Sequence, residues 1–146
     1  MNQMPADPAA SAKPPATVFA VLHAAHALED KLEAACGSAG LSMAKFSVLS
    51  ELVASVEPLA LGELASRLSC VRSNMTQLVD RLESDGLVRR VSCPTDRRSV
   101  KAEVTDLGKE RQAVAAIEVE KVNTEFAGLV RPEDHAAVER VARALG

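Results

Sequence analysis

One stretch, Leu61 to Val104, constrains this chain more than any other. It reads as a helix, a tight turn, a second helix and a β-hairpin. In the second helix Val71, Met75, Leu78, Val79 and Leu82 recur at i, i+4, i+7, i+8 and i+11, one apolar stripe of an α-helix. The opposite face carries Arg72, Ser73, Asn74, Thr76, Gln77, Arg81 and Ser84. These short or basic side chains suit a DNA major groove, where Asn and Gln read adenine and Arg reads guanine. Alone, such a helix is usually no more than a solvated amphipathic element. Its neighbours change that reading. Leu61, Leu64, Ala65 and Leu68 make a short preceding helix, and Ser69-Cys70 leaves room only for a tight turn, with Ser69 expected as the N-cap of the second helix. Gly86 supplies a left-handed helix end. Leu87–Ser92 and Ser99–Val104 read as strands, the second alternating Val100, Ala102 and Val104 with polar residues. Between them lies Cys93-Pro94-Thr95-Asp96-Arg97-Arg98, a basic turn. The pattern is that of a winged helix-turn-helix: a mainly α fold with a small β-hairpin wing, its second helix in the major groove and its wing arginines on phosphates or the next minor groove.

The net charge of -3 runs against that reading until its distribution is considered. From Val71 to Lys101, seven basic residues (Arg72, Arg81, Arg89, Arg90, Arg97, Arg98 and Lys101) face four acids (Asp80, Glu83, Asp85 and Asp96), a local charge of +3 that leaves -6 on the remainder. A local basic footprint is what a duplex requires. The candidate DNA contacts are therefore Arg72, Ser73, Asn74, Thr76, Gln77, Arg81, Arg90, Arg97, Arg98 and Lys101. Asp96 is expected to orient the wing by pairing with a nearby arginine. With no Trp or Tyr and three Phe, the chain lacks a stacking platform for single strands.

Several of these runs resemble one family. Leu82-Glu83-Ser84-Asp85-Gly86-Leu87-Val88-Arg89-Arg90 is similar to the recognition-helix exit of MarR-type transcriptional regulators. Asp96-Arg97-Arg98 followed by Val104-Thr105-Asp106-Leu107-Gly108 resembles their wing signature, and Leu41–Leu49 resembles the entry to their second helix. The resemblance covers about residues 18–145. It implies a homodimer whose N- and C-terminal helices intertwine, bound to a pseudo-palindromic operator, usually as a repressor and often released by a small ligand, an oxidant or a metal. It also implies that Arg98 enters the minor groove while Arg97 contacts phosphate or anchors the hairpin.

Taken in order, residues 1–15 are rich in Pro, Ala and Ser and read as a disordered tail, and 16–146 as one MarR-like domain. Within it, about 16–39 and 106–145 are the dimerisation helices and about 42–104 the winged helix-turn-helix. Ser42 is the expected cap of the next helix, with Phe46, Leu49, Leu52 and Val53 its buried face. The helix after Pro58 starts near Ala60, a poor cap, and Thr105 is expected to cap a long helix to about Val130. That helix has apolar residues on more than one face, which calls for more than one packing partner.

His23 and His26 share a helix face at i and i+3 without further ligands in evident reach, so neither a metal nor a cofactor is expected. With Met43 and Phe46, they are instead the candidate lining of the effector cleft that the resemblance implies. Cys36, Cys70 and Cys93 are candidate redox positions. Cys70 lies in the helix turn and Cys93 at the wing base, where oxidation would disturb DNA binding. A redox-sensing regulator on the same scaffold is thus the alternative to a ligand-released one, and a winged-helix module for protein contacts is a further one. The chain shows no nucleophile elbow, Gly-rich phosphate loop or ordered acid–base pair, so no enzyme is expected. No apolar run approaches membrane-spanning length and no signal-peptide core opens the sequence, which points to the cytoplasm.

Overall fold

A computed structural model describes residues 14–146. The elements are α1 (Pro14–Gly37), α2 (Met43–Ala54), β1 (Leu59–Ala60), α3 (Leu61–Arg67), α4 (Arg72–Ser84), β2 (Val88–Cys93), β3 (Asp96–Val104), α5 (Asp106–Leu129), a 3-10 turn (Pro132–Asp134) and α6 (His135–Leu145). The expected tail lies outside the described residues apart from Pro14 and Pro15. These form the first turn of α1, where proline needs no N–H partner, so the helix begins two residues earlier than expected. The chain divides into two compact units, one ending at Lys31 and one running from Leu32 to Gly146. In the first, α1 exposes Val18, Phe19, Val21 and Leu22.

The second unit holds the core. Val48, Leu49 and Leu52 of α2, Leu64 and Ala65 of α3, and Met75, Val79 and Leu82 of α4 pack with Leu59, Leu87, Val88, Ala102 and Ala115. Two expected members are absent. Val71 is 65% exposed because it sits one residue ahead of α4 as its N-cap, and Val53 turns outward near the end of α2. The three strands are antiparallel in the order β1-β3-β2. β1 escaped the sequence because it is two residues long, with Leu59 opposite Ala102 and Ala60 opposite Lys101. Across the wing the register runs from Val88 opposite Val104 to Ser92 opposite Val100, then jumps to Cys93 opposite Asp96. The jump places residues 97–99 in an irregular step of β3, at the basic tip.

The caps show how the helices are set. Ser42 accepts from Lys45 N–H at 3.2 Å, and Thr105 Oγ1 accepts from Gly108 N–H at 3.1 Å, both as expected. Ala60 gives α3 no side-chain cap, also as expected. Ser69 does not cap α4. It ends α3 instead, with φ at +49°, its N–H on Ser66 O and Cys70 N–H on Ala65 O at 2.8 Å. This paired 6→1 and 5→2 closure is a Schellman motif with serine at the left-handed position. The same closure follows α4, where Gly86 at φ +75° donates to Glu83 O and Leu87 N–H to Leu82 O. α5 buries only Gly108 and Ala115 in the single chain. Val114, Ile117 and Leu129 of α5 and Val138, Val141 and Leu145 of α6 are exposed.

Gly108 is where α5 meets the sheet. A Cβ there would stand 2.1 Å from Leu87 O, so no side chain fits. Gly108→Ala is therefore expected to destabilise the fold by about 2–3 kcal/mol through forced overpacking. Ser69→Gly is expected to stabilise it by about 1 kcal/mol by relieving a left-handed residue with a Cβ. Urea denaturation at a fixed protein concentration checks both, and the two shifts should be opposite in sign.

Candidate nucleic-acid interface

α4 is placed by its apolar side, with Met75, Val79 and Leu82 fully buried, and this turns the other residues outward. Arg72, Ser73, Asn74, Thr76, Gln77 and Arg81 are all exposed, as a reading face requires. Among the described residues Ser73, Asn74 and Gln77 have no side-chain partner, so their polar groups are available. Thr76 differs. Its hydroxyl donates to Arg72 O at 3.1 Å, which leaves it better suited to an apolar contact such as a thymine methyl than to donating.

Between α4, the start of α3 and the wing lies an open cleft of about 220 Å³, lined by Ala60, Leu61, Gly62, Arg72, Thr76, Arg98, Ser99 and Val100. Two candidate contacts far apart in sequence, Arg72 and Arg98, share this one cleft. Gly62 leaves the Arg72 guanidinium its place, since a Cβ on that residue would lie 3.4 Å from Arg72 Nη2. The sequence reads Ser99 and Val100 only as strand residues and gives Gly62 no role. A glycine beside the poorly capped start of α3 was the one available signal, and it has no meaning until the wing is brought alongside.

In the wing Asp96 acts on backbone: its Oδ1 accepts from Arg98 N–H at 2.9 Å, which orders the main chain that carries Arg98. Arg98 itself is exposed. Arg90, expected as a DNA contact, is half-buried and fully engaged within the protein. Its Nη2 lies 2.5 Å from Asp80 Oδ1 and its Nη1 2.5 Å from Glu83 Oε2. These carboxylates raise its pKa, the hydrogen bond to Asp80 foremost, so it stays charged at all ordinary pH. Arg89 is likewise held by Glu103 at 2.6 Å. Lys101 is half-buried on β3.

This pairing sorts the local charge. Asp80 and Glu83 are taken by Arg90, Asp85 by Lys45 at 2.6 Å, and Asp96 by a backbone N–H. Arg72, Arg81 and Arg98 have no ion pair among the described residues. The acids of the basic stretch are thus satisfied inside the fold, while these three guanidinium groups are left for an outside anion.

His23 and His26 are exposed on α1 in the first unit, whereas Met43 and Phe46 are half-buried against the core of the second. Among the described residues no three His, Cys, Asp or Glu side chains gather as a metal site would need. The three cysteines are unlinked. Cys36 is fully buried, and burial, helped by the Glu33 charge, pushes its thiol pKa up. Cys70 is half-buried on the wall of a small apolar cavity with Leu68, Met75 and Leu78. Cys93 lies at the outer end of β2, opposite Asp96 beside the wing's turn and not at the wing base as expected, because β2 runs on through it; Thr95 Oγ1 is 3.2 Å from its sulfur. That hydrogen bond, backbone N–H groups of Thr95 and Asp96, and the nearby Lys101 charge lower its pKa.

Comparison with known proteins agrees with this geometry. The MarR family profile matches residues 41–100. The uncharacterized HTH-type transcriptional regulator YkoM of Bacillus subtilis (strain 168) is 33% identical over 106 residues, which cover 72% of this chain and 68% of YkoM. Among solved structures, Sco3205, a MarR family transcriptional regulator from Streptomyces coelicolor in complex with DNA, superposes with a TM-score of 0.83 at 27% identity over 92% of this chain and 91% of that one. The transcriptional repressor CouR, bound to a 23-mer DNA duplex, gives 0.78 at 26% identity over 88% and 90%. No helix among the described residues is long and apolar enough to cross a membrane. The chain belongs to the MarR family of transcriptional regulators.

Proposed function

We propose that this protein is a homodimeric repressor that binds a pseudo-palindromic duplex sequence in the cytoplasm and is released by a small ligand. The observation that carries the DNA half is the shared cleft in which the unpaired Arg72 and Arg98 stand beside the exposed Ser73-Asn74-Thr76-Gln77 face. α4 would enter the major groove, with Asn74 and Gln77 suited to adenine and Arg72 or Arg81 to guanine. Arg98, offered at the wing tip by its Asp96-tied backbone, would reach the neighbouring minor groove, where a narrow A-tract concentrates negative potential. The exposed apolar residues of α1, α5 and α6 support a second copy, because nothing among the described residues covers them. The Sco3205 and CouR complexes support the duplex as partner. Ligand release rests on membership of the family, with His23, His26, Met43 and Phe46 as the residues at which to seek the effector.

The test uses a duplex enriched from a random pool by the wild-type protein. Arg98→Ala and Gln77→Ala are each expected to weaken binding about tenfold or more, as the loss of one good base or groove contact does. Arg98→Ala should also flatten the salt dependence, by about 0.9 in the slope of log K on log salt if it neutralises one phosphate. Unchanged affinity in both variants would overturn the docking.

A second reading, control by oxidation, is favoured by one feature, the depressed pKa of Cys93 beside the wing's turn. A lowered thiol pKa puts more thiolate at a given pH, and a raised one puts less. Alkylation of the native protein by iodoacetamide is therefore expected to modify Cys93 first as pH rises from neutrality and Cys36 last, as mass spectrometry of the digest would show. Should Cys36 react as readily as Cys93, the local environments would not control these thiols and the redox reading would lose its basis.

A further inference from the structure

The proposed reading makes α4 and the wing act as one body, and something must hold the two together. Lys45 and Asp85 tie α4 to α2, and the apolar stripe packs it on Val88 and Ala102 at the inner end of the wing strands. The polar link from α4 further along β2 is Arg90. It lies two positions after the buried Val88 on β2 and opposite the buried Ala102 of β3, so strand alternation turns it to the inner side of the sheet. There its guanidinium divides between two carboxylates one helical turn apart, Nη2 on Asp80 and Nη1 on Glu83. Glu83 is used twice, because its Oε1 also accepts the backbone N–H of Arg90 at 3.2 Å. The neighbouring Arg89 alternates to the other side and pairs with Glu103, taking no part.

We propose that Arg90 is a positioning residue for DNA recognition, acting through Asp80 and Glu83 on the reading helix and not on DNA. It does two things at once. The fork fixes the second half of α4 to the wing strand, which sets the spacing between the helix face and Arg98. It also neutralises two carboxylates on the reading helix that would otherwise repel the phosphates. A lysine cannot substitute, because a single ammonium cannot serve both acids and keep the planar fork. The duplex is the only partner this requires, so the inference rests on the DNA-binding reading above.

A double-mutant comparison tests it, using the full chain and the duplex enriched by the wild type. R90Q alone is expected to lose about tenfold in affinity with the salt slope unchanged, because no phosphate contact is removed. In the D80N/E83Q background, R90Q is expected to change affinity less than twofold, since its partners are already gone. R90K is expected to lose several-fold. If R90Q does not fold, R90K carries the test, because a phosphate contact would survive in lysine whereas a fork would not. Equal losses in both backgrounds, a slope reduced by about 0.9, or wild-type affinity in R90K or R90Q would overturn the proposal. R98A keeps the two readings apart. A loss in R98A with none in R90Q removes the positioning role and leaves DNA binding standing, whereas a wild type with no preference for any duplex removes both.

Discussion

The Leu87 carbonyl is the point on which the reading head depends. It accepts Thr105 N–H at 3.0 Å and stands so close to Gly108 that no Cβ fits between them. One residue earlier, the Gly86 carbonyl accepts the Thr105 hydroxyl at 2.7 Å, and the same hydroxyl oxygen caps α5 by accepting Gly108 N–H. The exit of α4, the start of β2, the end of β3 and the start of α5 therefore meet in a few ångströms. This junction explains why a left-handed Gly86 and a Cβ-free Gly108 stand where they do. It also means that the first turn of α5 cannot tilt without carrying the wing with it, the kind of rigid connection through which a distant change can reach a binding face.

Charge is organised by the same economy. An acidic protein presents a cationic surface because its local acids are spent internally. Asp80 and Glu83 bind Arg90, Asp85 binds Lys45, and Asp96 holds the Arg98 backbone. Exposed ion pairs of this kind contribute little to stability. Their consequence here is geometric: they decide which guanidinium groups remain free and where those groups stand.

Much of this was legible in the sequence. The apolar period located α4 to within a residue, the alternation of Val100, Ala102 and Val104 gave β3, and Thr105 and Ser42 announced the caps they make. What was not legible depends on tertiary placement. Ser69 has good N-cap chemistry and reads as the cap of α4. The turn needs a left-handed residue to close α3, and that demand prevailed, leaving Val71 to precede α4 without a side-chain cap. A two-residue β1 has no period to detect. Arg90 was indistinguishable from a DNA contact as one of several arginines in a basic stretch. Only the pleat of β2, which turns it inward beside α4, separates it from Arg98. The dispersal of apolar residues round α5 is readable as a demand for further partners, and among the described residues Val114, Ile117 and Leu129 remain exposed.

The central claim is that two copies of α4 read adjacent major grooves while two wings enter the flanking minor grooves. Methylation interference on the enriched duplex tests it directly, because guanine N7 lies in the major groove and adenine N3 in the minor. The account predicts N7 interference in two clusters about one helical turn apart, with N3 interference immediately outside each. Interference confined to the minor groove, or a single cluster without its symmetric mate, would contradict it.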